Sequence, residues 1–135
     1  MGLDMTLYGA KYYFDEKDRT SHITLDEVAC WRKQNAIHNW IVINVQNSVD
    51  NCAMYVVMMD QLKELLSLCK EVLANPTAKN AMEVLPTQSG FFFGGTDLNK
   101  ELELKYYLNG LKYTVEVIEE LFNKDFDFFV YESSW

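Results

Sequence analysis

Segments that alternate like β-strands lie near both ends of the chain, and segments with helical periodicity fill most of the region between them. Residues 3–14 (LDMTLYGAKYYF) place Leu3, Met5 and Leu7 on one side of an extended segment, and residues 126–131 (FDFFVY) form a second, aromatic strand. We expect the two terminal strands to pair inside one sheet. The pattern predicts an α+β fold in which helices pack on that sheet.

The elements between the terminal strands are predicted from the same two periodicities. A charged turn at 15–21 leads to a short extended piece at 22–25, and strand-forming residues recur at 53–58. Helices are predicted at residues 31–46, at 60–75 up to the Asn75-Pro76 pair, at 78–84 and at 99–122. Gly110 inside the last helix indicates a kink or a close contact.

These elements predict a single domain over residues 1–135, with a small, mainly antiparallel sheet of about three strands. The aromatic side chains of the two terminal strands also favour an exposed sheet edge. We therefore expect that the protein can form a homodimer through such an edge.

The charge balance and the cysteines limit the classes of partner. The chain carries 12 Lys and Arg against 20 Asp and Glu, a formal net charge of −8, so clustered basic residues that bind nucleic-acid phosphates are not expected. No apolar run is long enough to span a membrane, and Cys30, Cys52 and Cys69 fit no zinc-binding spacing. We expect a cytoplasmic protein with free thiols, no metal and no cofactor.

The predicted helix at 31–46 (WRKQNAIHNWIVINVQ) has an unusual polar side. At about 100° per residue, a sector of about 60° collects its amides and its arginine. That sector contains Arg32, Asn35, Asn39 and Gln46, and it is flanked by Trp31 and His38. Amides both donate and accept hydrogen bonds, and the arginine fork suits phosphate or carboxylate groups. The pattern predicts either a site for a small polar ligand or an internal network that orients the helix against the sheet.

Residues 85–96 (LPTQSGFFFGGT) combine three phenylalanines with three glycines and several hydroxyl and amide side chains. Glycines let the backbone approach a ligand closely, and a phenylalanine ring can stack on a planar base. The candidate ligand-binding residues of this segment are Thr87, Gln88, Ser89, Gly90, Phe91, Phe92, Phe93 and Thr96. The binding hypothesis places them across a cleft from a facing wall formed by Trp31, Arg32, Asn35, His38 and Asn39. The alternative is a hairpin or edge segment whose phenylalanines alternate into the core.

The sequence contains no local signature of a catalytic site. A catalytic hypothesis, to be set beside two binding hypotheses below, pairs His38 with Cys52 or Asp50 in a small hydrolase or transferase. A lone histidine on a partly apolar helix face is more often a core residue, and a free cysteine is usually a small buried hydrophobe. We therefore assign no catalytic residue.

Four stretches of the chain resemble a family of small proteins encoded by bacteriophages and prophages. They are MGLDM at the start, EVACWRKQNAIHNW, VQNSVDNC and LPTQSGFFFGGT, and the similarity runs nearly end to end. Residues 98–107 (LNKELELKYY) depart from the family's pattern. The resemblance implies a protein made in the cytoplasm of an infected bacterium, with an accessory or anti-defence role by analogy with other small phage proteins.

Two functional hypotheses follow. The first is a non-enzymatic protein that binds a small polar ligand, such as a nucleotide-derived signal of bacterial immunity, and acts as a sponge for it. The second is an acidic inhibitor that occupies a basic groove of a host defence protein, in the manner of a nucleic-acid mimic or an anti-CRISPR protein.

Overall fold

The computed structural model describes residues 2–89 and 96–135, in which four strands and four helices are found. The strands are β1 (Asp4–Asp15), β2 (Thr20–Arg32), β3 (Tyr55–Val57) and β4 (Phe128–Ser134). The helices are α1 (Asn35–Asn44), α2 (Met59–Ala74), α3 (Ala78–Val84) and α4 (Glu101–Leu121). The predicted α+β class is confirmed, with a sheet of four strands in place of about three.

The additional strand is β2, of which the sequence predicted only the short extended piece at 22–25. β1 and β2 form a long antiparallel hairpin whose register runs from Asp4 opposite Arg32 to Asp15 opposite Thr20. The chain reverses over residues 16–19, where the charged turn was expected.

The strand order is β2-β1-β4-β3, and every neighbouring pair is antiparallel. β1 pairs with β4 from Asp4 opposite Ser134 to Ala10 opposite Phe128, which confirms that the two terminal strands share one sheet. Both lie at its centre, so the expectation that they form an exposed edge is wrong. The edges of the sheet are β2 and β3.

The junction between β2 and α1 corrects the predicted helix at 31–46. Lys33 has a positive φ of 56° and donates its backbone N–H to the carbonyl of Leu3 at 2.7 Å. This left-handed residue interrupts helical geometry, so the helix begins at Asn35 and ends at Asn44. Trp31 and Arg32 are the last residues of β2 and do not lie on the helix.

One face of the sheet is covered by the helices, and the main core lies between them. Strand side chains such as Leu7, Ala29 and Tyr131 are buried there against Ile37 of α1 and Leu111 of α4. Helical periodicity explains this packing, because the buried residues of α2 and α4 recur at three- and four-residue spacing. No helix in the described ranges is long and apolar enough to cross a lipid bilayer.

We call the opposite side the outer face. Strand alternation places on it Ala10, Tyr12 and Phe14 of β1, Ile23 and Leu25 of β2, Val56 of β3, and Phe128 and Val130 of β4. The β1–β2 hairpin also extends past the last β4 pair at Ala10, and we call this extension, residues 11–15 and 20–24, the arm.

Candidate ligand-binding site

The end of β2 packs against α4 through a buried tryptophan. The indole nitrogen of Trp31 donates to Thr114 Oγ1 at 2.8 Å, and the Thr114 hydroxyl donates to the Gly110 carbonyl at 2.7 Å. The ring of Tyr113 meets Trp31 edge-on, with centroids 6.0 Å apart and an interplanar angle of 74°. Trp31 is therefore an anchor of the interface between sheet and helix, and with 6% exposure it offers little surface to a ligand.

Two tyrosine hydroxyls of α4 bind backbone groups of the edge strand β2. The amide of Cys30 donates to the hydroxyl of Tyr113 at 3.1 Å, and the hydroxyl of Tyr106 donates to the carbonyl of Arg32. Both tyrosine side chains keep substantial exposure, at 49% for Tyr106 and 36% for Tyr113. Because each ring is held at its hydroxyl, its orientation is fixed before any ligand arrives.

These contacts surround a shallow depression of ≈ 240 Å³, which we call the tyrosine groove. Its lining comprises Cys30, Trp31, Arg32, Gln34, Tyr106, Asn109, Gly110 and Tyr113. The Arg32 side chain is exposed and its Nε lies 3.6 Å from Asp4 Oδ1. An exposed ion pair of that length is weak, so the guanidinium can turn toward an anion in the groove.

The thiol at the groove's edge is held in its protonated form. Cys30 Sγ donates to Glu27 Oε1 at 2.6 Å, and this hydrogen bond, followed by partial burial, raises the pKa of the thiol above its ordinary value. A thiolate is the nucleophilic form of cysteine, so Cys30 is poorly suited to nucleophilic chemistry.

Asn35 joins α1 to both sides of the segment at 85–96. Its side-chain nitrogen donates to Thr96 Oγ1 at 3.1 Å, and its side-chain oxygen accepts from the amide of Gln88 at 3.4 Å. The predicted cleft between this segment and Asn35 is therefore closed at these two contacts. Gly90, Phe91, Phe92 and Phe93 lie outside the described residues.

A second depression, of ≈ 310 Å³, has Thr87 and Thr96 in its lining. It is lined by Ala78, Lys79, Met82, Thr87, Thr96, Asp97, Leu98 and Asn99. The predicted site residues are thus divided, with Trp31 and Arg32 at the tyrosine groove and Thr87 and Thr96 at this second depression. Gln88 and Ser89, which follow Thr87 in the chain, are exposed.

His38 belongs to an internal network. Its Nδ1 lies 2.6 Å from the Tyr131 hydroxyl and its Nε2 lies 3.0 Å from Asp50 Oδ2. Asp50 Oδ1 in turn accepts from the indole nitrogen of Trp135 at 3.0 Å. Burial, followed by the nearby Asp50 and Cys52, raises the pKa of Tyr131 well above its usual value. The arrangement fastens β4 and the residue after it to α1 and the following loop.

The remaining polar residues of the predicted helix also point into the protein or lie at its margin. Asn39 is half-buried, and the Gln46 side chain is buried with its nitrogen donating to the Val49 carbonyl at 2.7 Å. Of these residues, His38 joins the helix to the sheet, Asn35 joins it to the segment at 85–96, and Gln46 bonds only locally, leaving its buried Oε1 without a hydrogen-bond partner among the described residues.

Sequence reasoning did not select the α4 residues of the tyrosine groove. Tyr106, Asn109 and Tyr113 are spaced at three and four residues, which places them on one helix face. That spacing was the available signal. Because the sequence predicted only a short piece of β2, it did not indicate which element this face of α4 contacts.

Among residues 2–89 and 96–135, no group of three or more His, Cys, Asp or Glu side chains is placed to hold a metal ion. Comparison of the chain with protein-family models, with curated proteins and with solved structures found no match.

Proposed function

We propose that the protein binds, without transforming it, a small ligand that carries a planar polar ring and an anionic group, and that a nucleotide-derived molecule is the class it fits. The observation that carries the proposal is the pair of preorganised tyrosines, Tyr106 and Tyr113, beside the exposed guanidinium of Arg32. Aromatic faces stack on nucleobases, and arginine binds phosphate through a planar fork.

Each group of the tyrosine groove has a role in this proposal. The ring of Tyr106 or Tyr113 stacks on the base, Arg32 takes the phosphate, and the exposed amide of Asn109 binds a polar edge of the ring. A groove of ≈ 240 Å³ suits one ring with its substituents better than a long oligonucleotide.

Two features support binding over turnover. The raised pKa of the Cys30 thiol leaves the groove's own cysteine protonated. His38, the residue of the catalytic hypothesis, is almost completely buried and has both ring nitrogens near Tyr131 and Asp50.

The resemblance to bacteriophage proteins supports the biological part of the proposal. A phage protein made in the cytoplasm of an infected bacterium gains from removing a signal that activates host defence. We therefore propose that the bound molecule is such a signal and that the protein sequesters it.

Mass spectrometry of the native protein, purified from an infected and defence-active host, tests the proposal directly. We expect a bound nucleotide-class molecule, and calorimetry with the identified molecule should give a Kd at least about tenfold weaker for Arg32→Ala, because a charge-assisted hydrogen bond contributes about 1.5–3 kcal/mol. Tyr106→Leu should weaken binding similarly through lost stacking, whereas Tyr106→Phe keeps the ring but loses the hydrogen bond that orients it, and should weaken binding less than Tyr106→Leu.

Two control variants separate this site from other surfaces. Lys79→Ala alters only the second depression, and Glu116→Lys alters an exposed position of α4, so both should bind normally. If no nucleotide is retained, the ligand proposal fails. If charge reversal at Glu116 abolishes the anti-defence activity while Arg32→Ala preserves it, the protein is instead an acidic inhibitor of a host protein.

A further inference from the structure

The outer face carries an apolar trough. It has a volume of ≈ 310 Å³ and is lined by Ile23, Leu25, Met54, Tyr55, Val56, Phe128 and Val130, none of which is charged. Ala10 is paired with both Leu25 and Phe128, so its small side chain lies between the residues of β2 and β4. The trough is therefore a concave apolar surface on the side of the sheet opposite the main helical core.

The arm presents apolar side chains on the same face. Tyr12 and Phe14 follow Ala10 at two-residue spacing, and beyond Ala10 the arm has no β4 partner. Tyr12 lies opposite the trough residue Ile23, and Phe14 projects further, about 13 Å along the strand from Ala10 at 3.3 Å per residue. One face therefore carries both a concave apolar surface and projecting aromatic side chains.

We infer that a second copy of this chain covers the outer face, with the arm of each copy seated in the trough of the other. A two-fold axis generates both contacts at once, because in an isologous interface each copy offers the same pair of surfaces. The arrangement goes beyond ligand binding and does not depend on it, since the tyrosine groove lies where the end of β2 meets α4, away from the arm and the trough.

The area available matches a dimer. Six apolar side chains of arm and trough, Tyr12, Phe14, Ile23, Leu25, Met54 and Val56, are between 40% and 56% exposed. Half of a large side chain is on the order of 100 Å², so together they offer on the order of 600 Å² of side-chain surface. A standard interface buries about 800 Å² per partner, and the backbone of the arm supplies part of the remainder.

The positions of the charged residues and the hydrogen bonds at the β2 edge also favour the outer face as the dimer contact. The acidic strand residues of the outer face, Asp4, Glu27 and Glu132, lie in the rows of Asp4, Tyr8 and Thr6, on the side of Ala10 away from the arm. At the other candidate surface, the edge of β2, the Cys30 amide and the Arg32 carbonyl are already bound by the tyrosines of α4. Pairing of two β2 edges is therefore blocked at that end.

Sedimentation analysis from about 1 to 100 μM, with paired charge variants, tests the inference. The wild-type protein should sediment at twice the 15.8 kDa chain mass. An arm variant, Tyr12→Lys with Phe14→Lys, and a trough variant, Met54→Glu with Val56→Glu, should each be monomeric, with dissociation constants raised at least ~100-fold by charges placed in an apolar contact. All four positions are exposed, so thermal unfolding should remain close to that of wild type.

Mixing the two variants provides the sharpest result. A mixed dimer contains one lysine arm in a glutamate trough and one unaltered arm in an unaltered trough, so equimolar mixing should restore the dimer. Leu102→Lys, at an 81% exposed position of α4, is the matched control and should leave the dimer intact. Where a double variant unfolds early, the single variants Phe14→Lys and Val56→Glu replace it.

Three outcomes would overturn the inference. They are a wild-type protein that stays monomeric at 100 μM, a dimer that survives both charge variants, and two monomeric variants whose mixture stays monomeric. The first outcome leaves the outer face to a different protein, the second places the dimer contact elsewhere, and the third rejects the reciprocal arm-and-trough contact.

Discussion

At the scale of single residues, Gly110 shows how a sequence anomaly is explained by a contact. The sequence indicated a kink or a close approach, and the close approach is present. A Cβ built on Gly110 would clash with the side-chain amide of Gln34, which is buried and donates to the Tyr106 carbonyl at 3.3 Å. The glycine thus makes room for a polar side chain between α4 and the start of α1.

Gly110→Ala should therefore destabilise the protein, although alanine is favoured in helices by about 1 kcal/mol. We expect the free energy of unfolding to fall by about 1–3 kcal/mol, the usual cost of overpacking, when measured by urea denaturation.

The matched test removes the opposing side chain. In a Gln34→Ala background the clash is absent, and Gly110→Ala should then raise stability by up to about 1 kcal/mol. A stabilising effect of Gly110→Ala in the wild-type background would mean that Gln34 relocates at no cost and would contradict the prediction.

At the scale of elements, the contact between α4 and β2 replaces the missing sheet neighbour of an edge strand. Tyr113 accepts from the Cys30 amide, and this contact keeps the end of the strand from offering a free N–H group. The same two elements form the tyrosine groove, so edge protection and the candidate site share their side chains.

Tyr113→Phe should expose the Cys30 amide without removing the ring. We expect hydrogen exchange at this amide to become at least about tenfold faster, because its hydrogen-bond acceptor is lost. Tyr12→Phe, on the arm, should leave that rate unchanged. Equal protection of the Cys30 amide in the parent and in Tyr113→Phe would show that the hydroxyl contributes nothing to the edge.

The elements predicted from sequence were those with one unbroken periodicity. α2 and α3 lie close to their expected bounds, as does β1, because their apolar residues repeat without interruption. β2 was largely missed because residues 20–27 are all exposed, so no buried side alternates with a solvated one. A positive φ, as at Lys33, leaves the spacing of apolar residues unchanged, so periodicity alone predicted a helix that began too early, at Trp31.

The candidate site was predictable only in part, for a related reason. Amides and a histidine on one helix side indicate polar contacts, but they do not distinguish a ligand from the protein's own partners. Asn35 reaches Gln88 and Thr96, and His38 reaches Asp50, 12 residues along the chain, and Tyr131, 93 residues along it. Such partners depend on tertiary folding, which a local pattern does not contain.

At the scale of the whole molecule, the buried Cys69 thiol and Tyr131 phenol make the free energy of unfolding fall as pH becomes alkaline. Burial raises the pKa of the fully buried Cys69 thiol from 9.0 to about 12. Above pH 9 the unfolded chain loses this proton while the folded chain keeps it. The contribution of this thiol to stability should therefore be constant below pH 9 and fall by up to about 1.4 kcal/mol per pH unit as pH rises toward 12.

Cys69→Ala should reduce the fall between pH 9 and pH 10, where Cys30, whose pKa is also raised, contributes to the remainder, as measured by urea denaturation at a series of pH values. Above pH 10 the buried Tyr131, whose pKa is also raised, should continue to lower stability in both proteins. Ser67→Ala, at an exposed position of α2, keeps the thiol and should keep the full slope. An unchanged slope in Cys69→Ala would assign the alkaline loss to other groups.

The strand order also determines which contacts can form before synthesis of the chain is finished. The β1–β2 hairpin leaves the ribosome first, but its central neighbour β4, which places Ser134 opposite Asp4, is made only after all four helices. Contacts of such long sequence separation fold slowly, and one edge of β1 stays unpaired until the last strand is made. Translation speed through α4 and access to chaperones are therefore the conditions to which the yield of this protein should be most sensitive.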